Sequence, residues 1–233
     1  MIKIVPNINM EKEFPSLWRM TKYADYWLFK NIKEHLIEYN KRSELVDGLA
    51  MDMPYFWIAG GFLRDFFTDD EVSDIDLFFS NEGSLETLFK IIKSCYPNAI
   101  VTFQNDKVFK IVVEAKNRKI KLDLIKYYFA DPVQCIEAFD FTIAMLAVDI
   151  TGNVYYDERA PFDIAKKRLV VNNIRYPIST LQRFYKFVKR GYVACNGTML
   201  EIAKSMKDVD FEDKNQNPIE FYTDGELRIF GYD

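Results

Sequence analysis

The spacing of apolar positions along this chain predicts both α-helices and β-strands. Apolar residues three and four positions apart are typical of amphipathic helices, whereas alternating or short continuous apolar runs are typical of strands. The predicted helices cover 17–46, 62–67, 84–95, 132–139, 163–169 and 178–192. The predicted strands cover 55–60, 73–80, 99–104, 107–115, 118–128, 142–149 and 153–157. The predicted fold class is therefore α/β (α+β), a mixed sheet with flanking helices.

Turn-forming residues separate these elements. Gly60-Gly61 ends the first predicted strand, Ser84 is the predicted N-cap of the helix 84–95, and a hairpin is predicted at Ile150–Gly152. The strands give way to basic helices towards the C-terminus, which predicts two regions. These are a main domain with N-terminal helices over 1–160, and a helical extension with a C-terminal tail over 161–233.

Composition favours a globular protein of the reducing cytosol. Of the 233 residues, 49% are apolar and 16% aromatic, which suffices for a sizeable core. No apolar run is long enough to span a membrane, and the N-terminus lacks the pattern of a signal peptide. The cysteines, Cys95, Cys135 and Cys195, lie far apart, which fits a cytoplasmic protein and offers no zinc site.

Histidine and charge narrow the possible chemistry further. The single histidine, His35, lies in a charged helical pattern without a nucleophile motif, which argues against catalysis by a histidine triad. The net charge is −4, yet the segment 164–192 holds eight Lys or Arg residues and no acid. Such a segment is either a site for a polyanion or a solvated helix face.

Candidate functional residues are most concentrated in "GGFLRDFFTDDEVSDIDLFF", residues 60–79. Alternate side chains of a strand share a face, so Asp74 and Asp76 are expected on one face about 7 Å apart. Paired carboxylates bind hard divalent cations, Mg²⁺ above all. Two-metal sites for phosphoryl transfer hold their ions roughly 3.5 to 4 Å apart and need a carboxylate that bridges both.

Asp123 is the candidate for a third metal-binding carboxylate. In "KIKLDLI" the residues Ile120, Leu122 and Leu124 alternate as the core face, which leaves Asp123 on the other face with Lys121. The alternative is a charge on an edge strand that discourages aggregation.

The glycine pair provides a candidate phosphate site. A Gly-Gly turn between strand and helix allows close approach of a ligand, with amide groups placed to bind phosphate oxygens. Arg64, one turn into the predicted helix, would donate guanidinium hydrogen bonds to the same phosphates as the amides of Gly60 and Gly61. Taken alone, such a pair is most often only a turn.

Together these motifs resemble the signature of the DNA polymerase beta-like nucleotidyltransferase superfamily. The order Gly-Gly-x-x-Arg-Asp followed by Asp-x-Asp is similar to the head domain of bacterial-type tRNA nucleotidyltransferases and poly(A) polymerases. Downstream, "FDFTIAMLAVDITGNVYYD" and "FDIAKKRLVV" are similar to the rest of that head domain, and "TLQRFYKFVKRGY" to its neck helix. The resemblance covers roughly residues 55–192.

The resemblance implies specific roles for nine residues. It implies Asp74 and Asp76 as ligands of two Mg²⁺ ions, or Mn²⁺ in their place; Asp123, from the strand pattern above, remains the candidate third carboxylate. The implied contacts to the nucleotide are Gly60, Gly61, Arg64, Asp65, Asp140, Arg183 and Lys186. Of these, Asp65 would lie behind the site or beside the sugar, and Asp140 near the sugar.

The chain also departs from this family pattern. The two arginines usual before Asp-Phe-Thr are Ala138 and Phe139 here, and the usual following asparagine is Ala144. The region that reads the incoming base in tRNA enzymes is "IRYPISTLQ", which has no acidic residue. The choice of CTP or ATP therefore does not carry over.

The expected reaction is attack of an acceptor hydroxyl on the α-phosphate of an NTP, with release of pyrophosphate. The preferred acceptor is the 3′ end of an RNA, held by the basic segment 164–192. One alternative is transfer to a protein side chain, a small molecule or a second nucleotide. Another is a nucleotide-binding module without catalysis.

Overall fold

The fold is built around an eight-stranded mixed sheet, seen in a computed structural model that describes residues 1–5, 54–68, 74–115, 118–207 and 209–210. The strands are β1 (Ile2–Val5), β2 (Phe56–Ala59), β3 (Ile75–Phe79), β4 (Ile100–Gln104), β5 (Val108–Ala115), β6 (Arg118–Tyr128), β7 (Leu146–Asp149) and β8 (Val154–Asp157). The predicted mixed α/β fold is confirmed. The predicted helix at 17–46, including His35, and the tail beyond residue 210 lie outside the described residues.

The sheet has the order β1-β8-β7-β2-β3-β6-β5-β4. Strands β3 and β6 are parallel neighbours, whereas the other neighbouring pairs are antiparallel. The crossover from β3 to β6 contains a helix and two further strands, so residues far apart in sequence meet at the centre of the sheet. This central pair carries the predicted carboxylates.

The helices lie on both faces of the sheet and after it. They are α1 (Gly61–Thr68), α2 (Glu82–Cys95), α3 (Pro132–Glu137), α4 (Ala160–Ala165), α5 (Pro177–Lys189) and α6 (Asn196–Ser205), with a 3₁₀ turn at Thr142–Ala144. Two short strands, β9 (Arg168–Leu169) and β10 (Val193–Ala194), pair in parallel. Among the described residues, no helix combines the length and the apolar character that crossing a bilayer requires.

Several predicted element boundaries were wrong, and the strand predicted at 142–149 begins only at Leu146, after the 3₁₀ turn at Thr142–Ala144. Helix α2 begins at Glu82 and its N-cap is Asn81 rather than Ser84, because the Asn81 side chain accepts a hydrogen bond from the Ser84 amide at 2.9 Å. The helix predicted at 163–169 ends with α4 at Ala165, since Lys167 has a φ of 48°. Arg168 then continues as strand β9.

Alternation along β2 divides the core into two layers. Phe56 and Ile58 pack on the first face, beneath α1, α2 and α4, whereas Trp57 and Ala59 pack on the second face with α3. Burial of both faces explains why β2 is a continuous apolar run. Helix α3 covers only part of the second face, which leaves room there for a site.

Helix α5 is anchored in the buried cluster of the first face. Phe187 of α5 packs edge-on against Phe141, with ring centroids 5.7 Å apart, and joins the same buried cluster as the sheet. Exposed basic side chains occupy other positions on this helix, including Arg183 and Lys186. Apolar positions of α5 therefore contribute to the core, and its basic positions form a charged surface.

Candidate active site

The two aspartates of the Asp-x-Asp motif line a cavity on the second face of the sheet. Asp74 immediately precedes β3 and Asp76 lies within it, while Ile75 and Leu77 are buried in the core of the first face, as predicted. The cavity has a volume of about 480 Å³.

The structure brings most of the predicted site residues together around this cavity. Those that line it are Gly60, Gly61, Arg64, Asp65, Asp74, Asp76, Asp140, Arg183 and Lys186. Asp123 does not line the cavity, but its Cα pairs with that of Asp76 across the parallel strands. The folded sheet and helix α5 thus collect residues that are spread over more than 120 positions of the chain.

The glycine turn does not offer both of its amides to a ligand. Gly60 has a φ of 83°, a conformation that favours glycine, and its N–H donates a hydrogen bond to the Leu146 carbonyl at 3.0 Å. Gly61 is the first residue of α1, where an N–H has no partner within the helix. The prediction that both amides face phosphate is therefore corrected: the Gly60 amide is engaged in positioning the turn.

Arg64 is held in a buried cluster of charges. Its Nε and Nη2 donate hydrogen bonds to Asp65 at 2.8 and 2.5 Å, and both residues are at most 5% exposed. Arg190, a residue that the sequence patterns did not single out, approaches the same carboxylate oxygen at 3.4 Å. The Arg64 guanidinium also lies 4.7 Å from the ring centroid of Phe187. Asp65 thus joins α1 to the end of α5.

Asp140 makes a second connection to helix α5. Its carboxylate accepts a hydrogen bond from the Thr180 hydroxyl at 3.0 Å and forms an ion pair with Arg183. The resemblance implied separate contacts of Asp140 and Arg183 to sugar and triphosphate, but in this structure they contact each other. Both still line the cavity, so the pair fixes the position of its basic wall.

Asp123 is paired with a lysine that the sequence patterns also missed. Strand β5 places Lys110 directly opposite Asp123, and the two side chains form an ion pair. The alternative role as an edge-strand charge is wrong, because β6 lies between β3 and β5. The sequence of β5 alone does not identify Lys110 as the partner of Asp123, because the pairing depends on the register between β5 and β6.

The carboxylates therefore do not form the predicted set of three metal ligands. Within the described ranges, no group of three or more Asp, Glu, His or Cys side chains is placed to hold a metal ion. Asp74 and Asp76 still fit a hard cation, since the buried Oδ1 of Asp74 has no hydrogen-bond partner there. In the part of the chain that the structure describes, the Lys121 ammonium approaches it to 3.8 Å, too far for a hydrogen bond.

The position of Asp76 makes its ionised form costly without a bound cation. Burial, together with the negative charges of Asp123 and Asp74, raises its pKa from an ordinary 3.8 to about 7, against the opposing effect of Lys110 and Lys186. Near pH 7 the protonated and ionised forms of the Asp76 carboxyl are therefore both populated.

Asp76→Asn is expected to stabilise the protein without metal at about pH 8. Because the folded-state pKa exceeds the unfolded one, ionisation of Asp76 destabilises the fold progressively as the pH rises from about 4 to about 7. Screening by water in the cavity reduces the gain to about 2 kcal/mol, an increase of roughly 4–8 °C in Tm, with none at about pH 4. Thermal melts of both proteins at the two pH values measure this; equal Tm values at pH 8 would contradict it.

An aromatic wall borders the cavity beyond Asp76. Phe78 lies two residues further along β3 and contacts Phe139 and Phe129, with ring centroids 5.7 and 6.2 Å apart. Tyr127 continues the series, 5.3 Å from Phe129, and the Arg175 guanidinium lies 4.8 Å from the Tyr127 ring centroid. Ala138 and Phe139 also line the cavity, at positions where tRNA nucleotidyltransferases usually have arginines. This part of the wall is therefore apolar.

Comparison with known proteins shows the family of the chain. Its sequence matches the Gabija anti-defense 2 family over residues 23–167, more than half of its length. The chain belongs to this family. A curated relative, Gabija anti-defense 2 of Bacillus phage SPbetaL7, is 22% identical over 185 residues. That alignment covers 78% of this chain and 42% of the relative, so the chain spans less than half of the relative's length.

Solved structures show the fold of this family member. An apo CCA-adding enzyme has a TM-score of 0.55 at 16% identity, over 88% of this chain and 45% of its own. The complex of a CCA-adding enzyme with ATP has a TM-score of 0.55 at 15% identity, over 89% and 46%. The Thermotoga maritima CCA-adding enzyme complexed with tRNA has a TM-score of 0.51 at 17% identity, over 76% and 45%. The predicted mixed α/β fold is thus one that this chain shares with CCA-adding enzymes.

Proposed function

We propose that this member of the Gabija anti-defense 2 family is a metal-dependent nucleotidyltransferase. It would transfer a nucleoside monophosphate from an NTP to an acceptor hydroxyl and release pyrophosphate. The observation that carries the proposal is the Asp74–Asp76 pair in a cavity bounded by the start of α1 and the basic side of α5. The nucleotidyltransferase fold supports the same reaction class.

Asp74 and Asp76 would hold Mg²⁺, with Mn²⁺ as a substitute. The bound ion would supply Lewis-acid chemistry, neutralising triphosphate charge and lowering the pKa of the acceptor hydroxyl. The acceptor oxygen forms a bond to the α-phosphorus while the bond to the bridging oxygen of the β-phosphate breaks. The hydroxyl proton passes to water, and the electron pair leaves with pyrophosphate.

The chain's own basic side chains and amide groups would bind the triphosphate and stabilise the negative charge that develops on it during the reaction. Lys186 and Arg183 line the cavity from α5, and Gly61 lines it at the start of α1, where its N–H has no partner within the helix. Preorganised donors of this kind stabilise charge that grows during the reaction. Arg64 and Arg190, both tied to Asp65, would hold α1 and α5 at a fixed spacing and add positive potential behind these contacts.

Two acceptor classes are proposed. An RNA 3′ end is favoured by the basic wall of α5, and by the fold shared with the Thermotoga maritima enzyme that was solved in complex with tRNA. A component of the Gabija defence system is favoured by the family's description. The two are separated by supplying extract of Gabija-carrying cells and NTPs labelled at the α-phosphate. Label removed by ribonuclease identifies RNA, label removed by protease identifies a protein, and no incorporation into any product contradicts the transferase.

The aromatic wall would stack a nucleobase of the substrate. Removing the Tyr127 ring by Tyr127→Leu is expected to weaken binding of a nucleotide on the order of 10-fold, since stacking of one base contributes about 1–3 kcal/mol. Tyr128→Leu is the matched control, because Tyr128 is similarly exposed but does not line the cavity. Binding of ATP and of base-free tripolyphosphate is compared by calorimetry. A loss that is equal for both ligands would contradict stacking.

A further inference from the structure

A row of charged side chains, one lysine and two aspartates, crosses three neighbouring strands beside the cavity. Lys110 of β5, Asp123 of β6 and Asp76 of β3 occupy successive positions in the register of the sheet. Neighbouring strands are about 4.8 Å apart, so these side chains are neighbours on one face. The Lys110 ammonium is thus only two strands from the carboxylate at the centre of the site.

The pairing of Lys110 with Asp123 differs from an ordinary surface ion pair. Asp123 is 8% exposed, and its Oδ2 accepts a hydrogen bond from the Lys110 Nζ. A carboxylate this buried requires a compensating charge, because removing a partner from a buried ion pair is costly. The lysine therefore supplies, from within the chain, the positive charge that a cation at Asp123 would otherwise supply.

The charges around the cavity lead to the same conclusion. Asp74, Asp76 and Asp123 carry three negative charges when ionised, and their neighbours Lys121 and Lys110 return two positive charges. One divalent cation more than neutralises the remaining charge. A second cation would find the third carboxylate occupied, since Asp123 Oδ2 accepts a hydrogen bond from the Lys110 ammonium.

We propose that Lys110 takes the place of one of the two metal ions, so that the chain binds a single divalent cation at Asp74 and Asp76. This inference rests on the proposed function and gives the metal stoichiometry of that site. Lys110 is a positioning residue here: it holds Asp123 and contributes a fixed charge two strands from Asp76. The expected consequence is a site with one ion where two were predicted from the motifs.

Counting bound Mn²⁺ by electron paramagnetic resonance tests the proposal directly. The wild-type chain is titrated with Mn²⁺ in the presence of a non-hydrolysable α,β-methylene NTP, beside Lys110→Met, which keeps the length of the side chain and removes its charge. Lys110→Gln is a second variant of the same kind. Lys119→Met is the control, since Lys119 lies on β6 in an exposed pair with Glu114. Lys110 is 41% exposed, so its variants are expected to fold, as circular dichroism would verify.

The expected result is one Mn²⁺ per chain for wild type and Lys119→Met, and two for Lys110→Met and Lys110→Gln. The two ions in the variants would also give a spin-coupled spectrum. Two ions in the wild type, or one ion in the Lys110 variants, would overturn the role of Lys110 and leave nucleotidyl transfer standing. No bound Mn²⁺ in any protein would overturn both this inference and the proposed function.

Discussion

Replacing Asp74 and Asp76 together by asparagine is expected to reduce nucleotidyl transfer by on the order of 10³-fold or more. The variant keeps the shape of both side chains but removes the charges that would hold a divalent cation in the cavity. Removing one preorganised electrostatic contact already costs roughly 10²–10³-fold in enzymes, and here the whole cation site is lost. The transfer of α-phosphate label to product, measured over a range of Mg²⁺ concentrations, gives the size of the effect.

The same double variant is expected to be at least as stable as the wild type. Asp74 has an unpartnered buried oxygen and Asp76 has a raised pKa, so both carboxylates destabilise the fold when no cation is bound. A matched control, Asp106→Asn with Glu86→Gln, removes two charges at exposed positions away from the cavity and is expected to retain full activity. Loss of transfer together with a lower Tm would point to misfolding and contradict a direct role for the pair.

The largest loss of stability is expected from Asp65→Ala. This substitution leaves the Arg64 guanidinium, which is 5% exposed, without its carboxylate partner, and also frees Arg190. Breaking a buried ion pair by removing one partner costs about 3–5 kcal/mol. For a chain of this size, the loss corresponds to a decrease of roughly 10 °C in Tm.

An exposed ion pair of the same chain provides the comparison for Asp65→Ala. Glu158 is 49% exposed and pairs with Lys3 at 3.5 Å, so Glu158→Ala is expected to cost less than about 1 kcal/mol. Thermal and denaturant unfolding of both variants measure the difference. If Asp65→Ala were no more destabilising than Glu158→Ala, Asp65 would not be joining α1 to α5.

The local chemistry of the site could be predicted from the sequence because it depends on short-range rules. A glycine pair after an apolar run identifies the turn from β2 to α1, and Gly60 adopts the positive φ that this turn requires. The period of two in β3 places Asp74 and Asp76 on the face opposite Ile75 and Leu77. These relations involve residues within a few positions of one another, so no knowledge of the fold was needed.

The partners of the charged residues could not be predicted, since they depend on long-range register. Lys110 contacts Asp123 only because β5 and β6 pair with one specific register, and Arg190 contacts Asp65 only because α5 packs beside α1. These pairings change the chemistry expected of the site. Asp123 becomes a partner of lysine rather than a free metal ligand, and Asp65 becomes a link between helices.

Helix α5 shows how one segment can be predicted in part. Its spacing of apolar residues predicts a helix, which is present, and its basic residues, for which the sequence left two roles open, include Arg183 and Lys186 at the cavity. The pattern did not reveal that Arg183 is paired with Asp140, because the two lie 43 residues apart and meet only in the fold. It also did not place Arg175 against Tyr127 at the rim of the aromatic wall.

The central claim is that the chain cleaves an NTP between its α- and β-phosphates at the Asp74–Asp76 pair. The most direct test supplies two parallel reactions with the same cell extract and Mg²⁺, one with ATP labelled at the α-phosphate and one with ATP labelled at the γ-phosphate. Each is repeated with the double asparagine variant and with each of the other NTPs. The account predicts that a macromolecular product acquires label only from the α-phosphate, only with the intact aspartates, and with release of pyrophosphate. Label acquired from the γ-phosphate, or no label from any NTP, would contradict it.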